Sequence, residues 1–240
     1  MKSVLSALVA LFLVFGGISV NAQEKNIEIG VSLFPNYSIP RLTANDLIDP
    51  IFEPGFQGIG AWKPALNATV FVEYHLAEHS SIGVGLGYQN LGERSQKFDL
   101  IFAVDPVTGQ PIIDPSFPTQ ARFISNYHHA EIPVYYKYSF GNRFYALIGA
   151  SAMINITNSA TSVSYYADGK KNRATSIDNL TDYKTINIAG NIGFGIDIFS
   201  TEKLTGFIQP YGQYTFLGVT KNTPINRNFI AVGISFGMRI

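Results

Sequence analysis

Residues 229–240 read FIAVGISFGMRI, and their hydrophobicity alternates with a period of two. Large apolar side chains occupy the even positions from Ile230 to Ile240, whereas the odd positions from Ala231 onward carry small residues and Arg239. Successive side chains of a β-strand point to opposite faces, so this period predicts a strand with one apolar face. An amphipathic helix would instead repeat its apolar residues about every 3.6 positions.

The same period recurs along the chain and predicts eight strands, at 26–38, 65–76, 81–89, 128–140, 144–154, 184–198, 207–217 and 229–240. The strand at 144–154 is apolar on both faces, so its orientation stays open. Three connections are tight (77–80, 141–143 and 200–203), and the others (39–64, 90–127, 155–183 and 218–228) are long and rich in loop-forming residues. Turn sequences at 105–109 and 168–169 predict further hairpins inside two of the long loops.

The less apolar face distinguishes a soluble barrel from a membrane barrel. A soluble, lipocalin-like barrel would turn this face to water and cover it with charged residues. Here the face mixes small residues with large polar ones, among them Gly83, Gly85, Gly87, Gly193, Gly195, Gly233, Gly237, Tyr135 and Tyr211. Such a mixture suits the crowded interior of a narrow barrel, filled by its own side chains.

We therefore predict an all-β fold, a closed eight-stranded antiparallel up-and-down transmembrane β-barrel whose apolar face meets outer-membrane lipid. Short periplasmic turns, long extracellular loops and two periplasmic termini are typical of such barrels. Residues 1–22, with Lys2 before an apolar run that ends at Val20-Asn21-Ala22, are predicted to be a cleaved signal peptide. The barrel domain is then 23–240.

Composition narrows the possible functions. The 17 Lys and Arg residues balance the 17 Asp and Glu residues, so no basic excess indicates nucleic-acid binding. The sequence contains no cysteine, which excludes a disulfide scaffold. The motif Gly83-Val84-Gly85-Leu86-Gly87 lies inside a predicted strand and opens no helix, so it is not a nucleotide-binding loop.

With the strands placed, the segment HAEIPVYYKY at 129–138 resembles the outer-membrane β-barrel family common in Bacteroidota, often called PorT-like. The stretch GFGID at 193–197 and a predicted signal that ends in Ala22-Gln23 are similar to the same family. None of these motifs is catalytic. The resemblance implies fold and location, and it implies no particular activity, because members of one fold have diverse roles.

Several charged residues fall on the predicted interior face near the periplasmic end. Glu28 and Arg239 lie on the first and last strands, which must pair if the barrel closes. We expect these charges to form one structural ionic cluster, because an unpaired buried charge is costly. Its members are Glu28, Glu73, Lys137, Asp197 and Arg239.

No catalytic, cofactor-binding or metal-binding residues are predicted. His75 and His79 flank a tight turn while His128 and His129 lie near the opposite rim, so the four histidines are not expected to converge on a metal. The favoured interpretation is a non-enzymatic barrel with a structural, adhesive or complex-subunit role, which can meet protein partners through its extracellular loops. The sequence identifies no small-molecule substrate. Two alternatives stay open: a lipid-modifying hydrolase that pairs a rim histidine with Ser125 or a loop carboxylate, and a small passive channel.

Overall fold

The computed structural model describes residues 26–44, 60–101, 116–178, 182–221 and 225–240. Every regular element in these ranges that is longer than one turn is a β-strand. The strands are β1 (Ile27–Ala44), β2 (Lys63–Ala77), β3 (Ser80–Arg94), β4 (Phe98–Asp99), β5 (Pro118–Phe140), β6 (Phe144–Tyr166), β7 (Lys171–Asp178), β8 (Ile186–Ser200), β9 (Thr205–Thr215) and β10 (Ile225–Arg239). The described residues form no helix that is long and apolar enough to cross a membrane.

Eight of these strands close into a ring of antiparallel pairs. The ring order is β5-β3-β2-β1-β10-β9-β8-β6, and β6 pairs with β5 to complete it. The first and last strands join directly, with Gly30 opposite Arg239 and Ser38 opposite Ala231. The predicted closed eight-stranded fold is confirmed. Closure leaves no sheet edge that lipid would have to cover.

The two ends of the ring differ. The β2–β3, β5–β6 and β8–β9 connections are tight turns at one end, which we call the turn end. Gly141 in the β5–β6 turn has a φ of +64°, a conformation that glycine adopts without steric cost. The long connections lie at the opposite end, which we call the loop end.

Alternation along each strand separates an apolar outside from a largely polar inside. Leu86 and Ile192 on the outer face are 64% and 65% exposed, whereas Glu73 and Lys137 on the inner face are each 3% exposed. The orientation of the strand at 144–154, open from sequence, is now assigned: Tyr145 and its alternate neighbours face inward. An outer wall covered with exposed apolar side chains suits lipid.

Two strands are much longer than predicted. β5 and β6 each contain 23 residues and pair along their whole length. β7 pairs with the far half of β6 after a turn in which Gly169 has a φ of +83°, so the predicted hairpin at 168–169 is confirmed. The other predicted hairpin, at 105–109, lies outside the described residues. We call β4, β7 and the adjoining halves of β5 and β6 the arm.

Candidate functional site

The predicted ionic residues lie inside the ring at the turn end. Arg239 Nε is 2.8 Å from Glu28 Oε2, and Arg239 Nη2 donates to Asp197 Oδ2 at 2.6 Å. Lys137 forms an ion pair with Glu73. The structure thus places the charges in two adjacent groups, one around each cation.

Residues that the sequence did not single out complete this layer. The Tyr145 ring lies between the two groups, 5.4 Å from Lys137 Nζ and 5.7 Å from Arg239 Cζ. Tyr135 Oη donates to Glu73 at 2.8 Å, and His75 Nε2 lies 3.4 Å from Glu28 Oε1. The cations are therefore held by aromatic faces as well as by carboxylates, which adds a cation–π contribution to each ion pair.

Glycines opposite aromatic rings make this layer compact. Gly83 faces Tyr135 across the β3–β5 pair, and a Cβ atom on Gly83 would lie 2.2 Å from the tyrosine ring. Gly195 stands in the same relation to Tyr145, also at 2.2 Å. Each ring occupies the space of the missing side chain. The sequence-based interpretation that interior glycines make room for large neighbours agrees with this packing.

Next along the lumen is a polar layer around a small cavity of about 70 Å³. Glu131 lines it and accepts a hydrogen bond of 2.6 Å from Gln213 Nε2. Asn191 donates to Ser151 at 2.6 Å, while its own carbonyl oxygen has no partner among the described residues. In the described structure Glu131 contacts no cation, unlike the carboxylates at the turn end. The cavity has room for a few water molecules at most.

The loop end of the lumen is filled by apolar side chains. Leu91, Met153 and Phe229 are fully buried there and belong to one cluster with Tyr127. Above the cluster, Glu93 pairs with Arg227 at 3.1 Å. Packed side chains therefore lie on both sides of the cavity.

The two rim histidines do not share a site. Because β5 continues for ten residues before His128, both histidines lie in the middle of a strand and alternate between its faces. His128 Nδ1 is 2.5 Å from the Tyr88 hydroxyl on the outside, whereas His129 is buried in the lumen. Within the described ranges neither hydrogen-bonds to a serine or a carboxylate. No group of three or more metal-ligating side chains occurs among the same residues.

The arm ends in an exposed turn. Lys170 Nζ lies 2.6 Å from Asp168 Oδ2, and both residues are exposed. The hydrogen bond from the Lys170 side chain lowers the pKa of the Asp168 carboxyl, and the same contact raises the pKa of Lys170. Solvent screens such a pair, so it contributes little to stability.

Comparison with solved structures returns membrane barrels at low identity. The outer membrane protease OmpT from Escherichia coli is 10% identical, with 92% of this chain and 98% of that chain covered and a TM-score of 0.43. Neisserial surface protein A is 9% identical, with 90% and 97% covered and a TM-score of 0.38. Ail, the attachment invasion locus protein of Yersinia pestis, is 8% identical, with 88% and 99% covered and a TM-score of 0.35.

Comparison with curated proteins finds no match. The sequence pattern of one family, described as the outer membrane protein beta-barrel domain, matches residues 21–224. This match spans most of the chain and agrees with the closed ring of strands. The protein therefore belongs to the outer membrane β-barrel domain family, whose place is the bacterial outer membrane.

Proposed function

We propose that this protein is a non-conducting, non-catalytic outer-membrane scaffold that displays its arm outside the cell, with both termini in the periplasm. The observation that carries the proposal is the length of β5 and β6, 23 residues each, beside a filled lumen. A tilted strand needs about 9 to 11 residues to cross the hydrocarbon layer. About half of each strand is then left to stand beyond the membrane, roughly 40 Å along the strand at about 3.3 Å per residue.

A display role suits the packing better than the two alternatives. A passive channel needs a continuous open lumen, and here side chains pack on both sides of a cavity of about 70 Å³. A hydrolase needs an activating contact at a rim histidine, and His128 contacts Tyr88 instead. We also propose that residues 1–22 are a removed signal peptide and that the chain belongs with the PorT-like barrels of Bacteroidota. Structural, adhesive and complex-subunit roles are all forms of such display.

The proposed orientation is testable because the sequence contains no cysteine, so one introduced thiol is a unique label site. Lys170→Cys places a thiol at the tip of the arm, and Glu78→Cys places one in the tight β2–β3 turn. In intact cells, a membrane-impermeant maleimide should label the first variant and not the second. Glu78→Cys should react once the outer membrane is permeabilised. The opposite labelling pattern would overturn the proposed orientation.

A further inference from the structure

The outward face of the arm and the adjoining end of β3 carry a cluster of basic side chains. Directly opposite residues of an antiparallel pair share a face. Arg122 on β5 and Arg173 on β7 both lie opposite Val163 of β6 and therefore share its face. Lys171 lies opposite Tyr165, one row farther out. We call the full set the basic face: Arg94, Lys97, Arg122, Lys171 and Arg173.

This face is continuous with the lipid-facing wall. The β3–β5 pairing keeps one register from Ile82 opposite Tyr136, on the outer wall, to Arg94 opposite Ile124. The Arg94 guanidinium lies 4.3 Å above the Trp62 ring, which packs edge-on against Tyr37 at 4.8 Å. Both rings are exposed on the outside of the barrel. The basic face therefore begins beside exposed aromatic side chains of the outer wall.

These charges lack counterions among the described residues. None of the five forms an ion pair there. Lys97 and Lys171 instead lie 4.2 and 5.7 Å from the Tyr165 ring. The one described carboxylate on this face, Asp99, accepts a hydrogen bond of 2.9 Å from Gln120. The clustered cations repel one another unless an anion joins them.

Protection of a sheet edge explains only part of the cluster. Lysine and arginine on an edge strand discourage pairing with other chains, and β7 is such an edge. Arg94 and Arg122, however, lie where strands pair on both sides: Arg94 lies between Ala61 and Ile124. Their charges need another explanation.

Position and height select the anion. Arg122 lies six residues beyond His128 along β5, and His128 stacks on Tyr88 on the outer wall. Arg122 is therefore about 20 Å farther along the strand, or roughly 15 Å above the level of His128 at a tilt near 40°. The head-group layer of a simple phospholipid is only about 5 to 8 Å deep. Arg94 lies opposite Ile124, four residues beyond His128, and is therefore roughly 10 Å above the same level. Phospholipid phosphates would stop short of Arg94, Arg122 and Arg173. A lipid with a phosphorylated saccharide head group reaches all three.

We propose that the basic face binds the phosphorylated saccharide head group of a glycolipid in the surrounding outer leaflet. Arg94 would contact phosphate nearest the membrane, and the pair Arg122 and Arg173 would contact phosphate on the sugars above. The inference rests on the proposed function, because the arm must stand on the glycolipid side of the membrane. Arginine suits the role, since its planar fork matches phosphate oxygens.

Native mass spectrometry of the full chain in detergent tests the proposal. The probe is a rough lipopolysaccharide phosphorylated on its lipid and inner-core sugars, compared with the same material after dephosphorylation and with phosphatidylglycerol. The double variant Arg122→Gln/Arg173→Gln should bind the phosphorylated probe about 30-fold more weakly, since each basic residue near an anionic surface contributes about a factor of five. The control Arg143→Gln/Lys203→Gln removes the same charge from the turn end and should bind like the unmodified protein.

Three outcomes would overturn the proposal. The first is that the two double variants bind the phosphorylated probe equally well, and the second is that the unmodified protein binds the dephosphorylated probe or phosphatidylglycerol as tightly as the phosphorylated probe. The third is tighter binding of soluble heparin, an anionic polysaccharide without a lipid, than of the phosphorylated probe. If Arg122→Gln/Arg173→Gln does not fold, Lys97→Gln/Lys171→Gln tests the same face and should also weaken binding. The measurement in detergent does not depend on orientation. Thiol labelling that places the arm outside, combined with no discrimination between the probes, would reject this inference alone and leave the display role standing.

Discussion

Substitution of Arg239 by alanine should weaken the barrel at the point where its first and last strands meet. The Arg239 side chain is 9% exposed and contacts two carboxylates, Glu28 on β1 and Asp197 on β8. Alanine removes the guanidinium from both carboxylates and leaves Glu28 only its contact with the His75 imidazole. Removal of one partner from a buried ion pair costs about 3 to 5 kcal/mol. The carboxylate side chains keep some contact with water, at 23% and 17% exposure, so we expect the lower end, about 3 kcal/mol.

A loss of this size is measurable. For a domain of this length, each kcal/mol shifts the unfolding midpoint by about 2 to 4 °C, so Arg239→Ala should unfold about 6 to 12 °C earlier in detergent. Tyrosine and tryptophan fluorescence during heating reports the transition. Lys170→Ala is the control, because its ion pair with Asp168 is exposed and solvent screens it. The control should unfold like the unmodified protein.

A double variant separates the loss of the Arg239 ion pairs from the cost of leaving buried carboxylates without a cation. Arg239→Ala combined with Asp197→Asn removes one of the two stranded carboxylates, so it should recover part of the lost stability. If Arg239→Ala and Lys170→Ala unfold at the same temperature, the ionic contacts do not stabilise the closed seam. The barrel would then depend on backbone pairing and apolar packing alone.

Three further outcomes follow from the lumen. Glu73→Gln should lower the unfolding temperature because it leaves the buried Lys137 unpaired. Glu131→Gln should not lower it, since no cation contacts Glu131 in the described structure. An equal drop in unfolding temperature for both variants would contradict this. Gly83→Ala should destabilise the barrel because the added Cβ atom clashes with Tyr135. Gly212→Ala should be tolerated, because the atom nearest to its Cβ would be 3.6 Å away. The same thermal scan compares the two variants, and equal unfolding midpoints would refute the packing argument. Reconstituted protein in planar bilayers should show little steady conductance, because side chains fill the lumen; a large stable single-channel current would contradict it.

The strands inside the membrane were predictable because lipid and lumen impose different chemistry on alternate residues. The order of strands around the ring, the tight turns and the outward apolar face all followed from that period. The far halves of β5 and β6 were not predictable in this way. Residues 155–166 read NITNSATSVSYY, and polar residues occur on both faces. A strand with polar residues on both faces loses the period-two signal, so this stretch resembles a loop.

The contents of the lumen were predictable only in part. The charges Glu28 and Arg239 could be placed together, because closure requires their strands to pair. The apolar cluster at the loop end of the lumen was not predictable, since Leu91 and Tyr127 fall in stretches predicted to be loops. Contacts across a lumen join strands that are distant in sequence, and no local pattern encodes which side chains meet there.

The barrel and the arm form one continuous paired sheet at their junction. β5 and β6 stay paired from Phe140–Phe144 to Pro118–Tyr166, so the arm is a continuation of the wall. β6 changes partner at the junction, from β8 up to Ile154 to β7 from Asn158 onward. A bulge opposite His128 and His129 lies at the same level, and bulges increase local twist and bend a strand. Continuous pairing through this bulge suits a fixed display surface better than a gate.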